Sequence, residues 1–274
     1  MLVNGKQGKL ISIRDRGLLY GDGVFRTLLS SQGQALHWPL HYQKIQQDCA
    51  ALGIPCPSIA VLTAELDELL VQHPDAVLKL IVTRGQGARG YTPSADTVPT
   101  HIWDVSERPV SPPDTSTSGV KVCWCQLRLG AQPRLAGIKH LNRLENVLAA
   151  GEVSDAGVTE GLLMDATDNV ISGTRSNLFL VKQGALITPD LSSCGVSGIQ
   201  RDRIIDWAAQ HKVPVQVRDI LQDEVSGADE LLLVNSVFGL WPIAELGNQK
   251  SNGQKWSTFP VSMRIHHDLF EQDE

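Results

Sequence analysis

No stretch of the sequence is apolar over the length needed to cross a bilayer, and the opening segment MLVNGKQGKLISIRDRG lacks the apolar core of a signal peptide. These absences predict a soluble, cytoplasmic protein with no membrane partner. The five cysteines (Cys49, Cys56, Cys123, Cys125, Cys194) are odd in number, form no C-x-x-C unit and stand apart from histidine clusters. That argues against a disulfide framework and against a metal site, and leaves reduced structural thiols. Positive charge is in deficit too: 24 Lys and Arg against 30 Asp and Glu give a formal net charge of −6, the wrong balance for a nucleic-acid binder. An anionic ligand must therefore meet a locally positive pocket.

What is present suffices for a sizeable core. The 274 residues, 42% of them apolar, fit one large or two smaller domains. The stretch VSERPVSPPDTSTSGV is rich in Pro, Ser and Thr and divides the chain into a first domain over 1–108, a linker over 109–118 and a second domain over 119–274. In the first, Tyr42, Ile45, Cys49 and Leu52 recur at helical spacing before a stop at Gly53, and a second helix follows Ser58. MLVNG and KLISI read as a hairpin turning at Asn4-Gly5, and AVLKLIVTRG as a strand. The second domain holds more strands than helices, with turns at Asp168-Asn169 and Gln183-Gly184 and helices after Lys139 and Gly198. The fold class is α/β (α+β), a smaller α/β domain followed by a larger strand-rich, barrel-like one.

One lysine calls for a reason. In LAGIKHLNRLENVLAAG, Leu141, Leu144 and Leu148 repeat at helical spacing, which predicts a helix beginning near Asn142 with Lys139 just ahead of its positive end. A cation is disfavoured there, more so beside Arg134 and Arg143, and such surroundings favour the free amine that covalent chemistry with a carbonyl compound requires. Spacing alone leaves open that Lys139 is a solvated side chain or pairs with Glu145. Farther on, in CGVSGIQRDRIIDWAAQ, Gly198 precedes a helix whose first backbone N–H groups, those of Ile199 and Gln200, can face a phosphate. By itself this is an ordinary turn before a helix.

Taken in order, RDRGLLYGDGVFRT, RGQGARGY, AGIKHLNRLE, ISGTRSNLF, SGIQR and ADELLLVNS resemble the fold-type IV pyridoxal phosphate enzymes over nearly the whole chain. GIKHLNRLE together with VNS most resembles the branch that cleaves 4-amino-4-deoxychorismate to p-aminobenzoate and pyruvate in folate biosynthesis. The resemblance implies pyridoxal 5′-phosphate as cofactor, Lys139 as its covalent attachment point and catalytic residue, and a homodimer. It also implies that Ile199, Gln200, Ser236 and Asn177 are on the cofactor. Tyr20, Arg89, Tyr91 and Asn235 would then contact the substrate, Arg89 and Tyr91 as a carboxylate clamp. The alternative within the group is a branched-chain or D-amino acid aminotransferase.

Two positions depart from the group's pattern. Lys44 stands where an arginine usually holds the phosphate, and a lysine is a point charge without a bidentate fork. Ser172 stands where a glutamate usually pairs with the pyridine nitrogen; a hydroxyl holds that nitrogen's proton weakly, which hinders amino-group transfer more than elimination. Asp165 is the nearby carboxylate that could replace the glutamate. Arg26, where the aminotransferases often carry a glutamate, points the same way as Ser172.

Overall fold

The computed structural model describes residues 1–110, 115–247 and 253–271. By its internal contacts the chain forms two compact units, Met1–Pro109 with Ile138–Asn142, and Val110–Gly137 with Arg143–Glu274.

The first unit runs β1 (Leu2–Val3), β2 (Lys6–Gln7), α1 (Arg16–Tyr20), β3 (Gly23–Ser31), β4 (Gln34–Ala35), α2 (Trp38–Leu52), α3 (Ile59–Gln72), β5 (Val77–Thr83) and β6 (Thr100–Ser106). The second runs α4 (Thr115–Ser118), β7 (Val120–Leu129), α5 (Leu144–Ala156), β8 (Glu160–Asp165), β9 (Val170–Gly173), β10 (Asn177–Lys182), β11 (Ala185–Pro189), α6 (Ile199–Gln210), β12 (Val215–Arg218), α7 (Gln222–Ser226), β13 (Glu230–Asn235), β14 (Gly239–Leu246), β15 (Gln254–Lys255) and α8 (Pro260–Leu269). Mixed α/β architecture is thus present in both. Of the stretch expected as linker, 115–118 is a helical turn and 111–114 lies outside the described residues.

The six strands of the first unit order as β2-β1-β6-β5-β3-β4. Along β3 the side chains alternate, Val24, Arg26, Leu28 and Ser30 inward, Phe25, Thr27 and Leu29 half-exposed, as period-two geometry requires of a sheet covered on one face. The inner face packs on α2 and α3 through Ile45, Cys49, Leu62, Leu66 and Leu69. Gly53 ends α2 at φ 64, and the Ser58 side chain caps α3 by accepting from Val61 N–H. The hairpin is shorter than its sequence predicts. Asn4 and Gly5 do turn it, with φ 49 and 73, but Val3 pairs at once with Lys6, and KLISI adds no strand; a two-residue turn fixes the register immediately, and Leu10 and Ile13 face solvent.

The second unit's sheet orders as β12-β11-β10-β13-β14-β7-β8-β9, with β15 on β14. β8 and most of β10 are buried on both faces, which explains their near-continuous apolar sequences. Three of its pairs, β7 with β8, β11 with β12 and β14 with β7, are parallel; α5 lies in the crossover between β7 and β8 and α6 in that between β11 and β12, as parallel pairing demands. The helix after Lys139 starts at Leu144, two residues later than expected, and its buried residues are Ala149 and Val153. Leu144 and Leu148 are 76% and 63% exposed, so the leucine spacing that predicts the helix does not mark its core face.

Candidate active site

The segment around Lys139 belongs to the first unit because it adds itself to the edge of β3. Phe25 N–H donates to Lys139 O at 3.0 Å, Leu141 N–H donates to Gly23 O at 2.9 Å, and His140 bridges Val24 antiparallel. Ile138 is buried in this unit's core. The approach requires small residues opposite: a Cβ on Gly23 would lie 2.7 Å from both Leu141 Cδ1 and Val82 O, and one on Gly21 would meet Asn142 Oδ1 at 2.3 Å. Asn142 donates through Nδ2 to Gly21 O, so it ties the lysine segment down rather than capping α5, whose N-cap is Arg143. The Lys139 ammonium lies 4.5 Å from the centre of the Phe25 ring, whose face attracts a cation. Lys79, on β5, places its Nζ 4.9 Å from the same ring. The helix-end setting expected for Lys139 is replaced by this aromatic one, and Glu145 accepts from Gly130 N–H at 2.8 Å.

Helix α2 supplies the groups beneath. Asp48 is buried and its Oδ2 accepts from Arg26 Nη2 and, at 3.3 Å, from the backbone N–H of Lys139. His41, one helical stretch earlier, is buried with neither ring nitrogen hydrogen-bonded among the described residues. Burial first, then the charges of Arg26, His37 and Lys139, push its pKa down to about 3, so the ring is neutral at physiological pH. Lys44 is half-buried on the same helix. Sequence reasoning missed His41 and Asp48.

A second ion network anchors the loop that carries Arg89 and Tyr91. Asp22 accepts from Arg16 Nε and Arg84 Nε, both at 2.8 Å. Burial raises the Asp22 carboxyl, but hydrogen bonds from Arg84 and Arg16 and their charges outweigh it and hold the group below its ordinary range. Arg84 also donates to Gly53 O and Leu52 O, closing the C-terminus of α2. Arg16 donates to Gly90 O and Tyr91 O and so anchors the glycine-rich loop. There Tyr20 Oη accepts from Gly90 N–H at 3.3 Å, and its ring lies 5.4 Å from that of Tyr91. Arg89 is exposed and Tyr91 is 86% exposed.

In the second unit, Asn177 shapes the turn that opens α6: Oδ1 accepts from Gly198 N–H at 3.1 Å and Nδ2 donates to Val196 O at 2.8 Å. A Cβ on Gly198 would strike Asn177 Oδ1 at 2.4 Å. The other side of the turn is held by Gly137, which donates to Gly195 O and accepts from Ser197 N–H. No side chain caps α6, and Ile199 and Gln200 are its first residues. Ser172 is buried and its Oγ donates to Gly173 O at 2.9 Å. Asp165 accepts from Thr167 and Asn169, an arrangement that builds the β8–β9 turn. A deeper carboxylate, Glu160, accepts from Thr174 N–H and Ser176 Oγ and fixes the backbone between Ser172 and Asn177. Asn235 Oδ1 accepts from Val237 and Phe238 N–H while its Nδ2 donates to Arg175 O, which leaves half-buried Ser236 at the tip of the β13–β14 turn. Asn177 and Asn235 thus position backbone.

Comparison with known proteins gives the family. A profile of amino-transferase class IV matches residues 23–246. Aminodeoxychorismate lyase of Vibrio harveyi is 32% identical over 242 residues, covering 88% of this chain and 89% of that protein. A putative branched-chain-amino-acid aminotransferase of Methanocaldococcus jannaschii is 31% identical over 257 residues, 92% of this chain and 88% of that protein. The crystal structure of 4-amino-4-deoxychorismate lyase from Pseudomonas aeruginosa superposes with a TM-score of 0.92 at 41% identity, covering 98% of both chains. The chain belongs to the amino-transferase class IV family.

Proposed function

We propose that the chain is a pyridoxal 5′-phosphate-dependent lyase that converts 4-amino-4-deoxychorismate to p-aminobenzoate and pyruvate. The observation that carries this is the 41% identity, over 98% of the chain, with the Pseudomonas aeruginosa lyase, against 31% for the putative aminotransferase.

The residues present fit the cofactor. Lys139 offers a primary amine over an aromatic face, and the uncapped start of α6 offers the N–H groups of Ile199 and Gln200 to a phosphate. In the second unit Ser236 would add a hydroxyl to that phosphate; Lys44, in the first, remains the proposed further charge. When bound, pyridoxal phosphate supplies an electron sink for the carbon beside the substrate nitrogen. Lys139 Nζ then takes the proton from that ring carbon and returns it to the enolpyruvyl fragment as the C–O bond breaks, base first and acid second. Ser172, whose O–H already donates to Gly173 O, would offer the pyridine nitrogen only lone pairs, a weak hold that would suit elimination. The substrate's two carboxylates call for cations and hydrogen-bond donors; Lys79 joins Arg89 as a cationic candidate, and Tyr20, Tyr91 and Asn235 are the neutral donors.

Supplying the protein with pyridoxal phosphate, chorismate and the amidating partner enzyme is expected to yield p-aminobenzoate and pyruvate together. Brisk amino-group exchange between an amino acid and a 2-oxo acid, with no p-aminobenzoate, would assign the aminotransferase activity instead. The exposed Leu144, Val147 and Leu148 on α5 support a homodimer. The free cysteines, and described helices none of which is long and apolar enough to cross a membrane, accord with a cytoplasmic setting.

A further inference from the structure

Arg26 and Asp48 are both buried and ion-paired. Such a pair is poor evidence of stabilisation, because apolar residues of equal volume often serve as well. Its location suggests another task. A single carboxylate oxygen, Asp48 Oδ2, receives both the Arg26 guanidinium and the backbone N–H of Lys139 at 3.3 Å. The groups around Lys139 include the Phe25 ring from β3, neutral His41 and Asp48 from α2, Lys79 of β5 across that ring, and Arg26 of β3 through Asp48. Asp48 brings a negative charge to this group.

We propose that the Arg26–Asp48 pair is a positioning device for Lys139, Asp48 holding the lysine's backbone in place and Arg26 holding the Asp48 carboxylate in orientation. The two opposite charges also offset each other beside the Lys139 backbone. Asp48 therefore has two separable effects, one through its hydrogen bond and one through its charge. Asparagine at position 48 keeps an acceptor and loses the charge; alanine loses both.

The inference rests on the lyase reading only where the cofactor is used, so the first measurement omits it. Hydrogen exchange of the peptide containing Lys139, followed by mass spectrometry on the cofactor-free protein, is expected to quicken about tenfold in Asp48→Ala and much less in Asp48→Asn, with exchange in α3 unchanged. The second follows the absorbance of the loaded protein as pH is varied. In Asp48→Asn the uncompensated Arg26 charge is expected to lower the titration midpoint, weakening proton binding about tenfold. The double variant Arg26→Met/Asp48→Asn, which leaves no charge behind, is expected to bring it back toward the wild-type position. It also serves where the single variant fails to fold, because its exchange and midpoint should both stay near wild type. Equal exchange in Asp48→Ala and wild type, or midpoints moving the same way in the single and double variants, overturns the proposal. Failure to take up cofactor with the exchange result intact overturns the function and not the pair.

Discussion

His41 lies among the residues that α2 buries, and the physical consequence is a pH dependence. The unfolded chain binds a proton on this ring near pH 6.5, whereas the folded chain resists it down to about 3. The folded-state value is depressed, so the stability tied to the neutral ring is fully present above pH 6.5 and is lost as pH falls toward 3. Between pH 6.5 and 4.5 the unfolding free energy of the wild type is expected to fall by about 2 kcal/mol more than that of His41→Leu, measured by urea unfolding. Parallel curves would show that the ring titrates normally. His41 and Asp48 were legible in principle: with Trp38, Ile45 and Cys49 they share the core-facing side of one helix, and a polar residue on that side is a signal. Lys139, by contrast, stands out in the sequence because it sits in a distinctive motif. Its surroundings do not, since the Phe25 ring reaches it through strand pairing between residues more than a hundred positions apart.

Elements bounded by local chemistry were the most readable. Gly53 and Ser58 bound α2 and α3 as their residue types predict, and the turns at Asp168 and at Gln183-Gly184 carry the positive φ values that such residues tolerate. Two elements misled for the same reason, because apolar spacing does not say which face is covered. KLISI forms no strand, and the Leu144, Val147 and Leu148 stripe of α5 points outward. That stripe is where a second copy of the chain is expected to pack. Leu148→Asp should weaken self-association at least about tenfold in sedimentation equilibrium, as expected for a charge placed in an apolar interface. A monomeric wild type, or equal association in both proteins, would remove α5 from the interface.

At the scale of the whole molecule, the sequence showed two bodies rich in helix and strand but not how their strands connect. Parallel pairing of β7 with β8 and of β11 with β12 depends on crossovers that local patterns do not encode. Nor did it show that Ile138–Asn142 leaves the second unit to pair with β3 in the first. The placement sets the lysine backbone on a strand edge braced by Asp48. The most direct measurement is borohydride reduction of the pyridoxal phosphate-loaded protein followed by peptide mapping. The modified residue is expected to be Lys139, with none on Lys44 or Lys79; attachment at another lysine, or no attachment, would contradict the account.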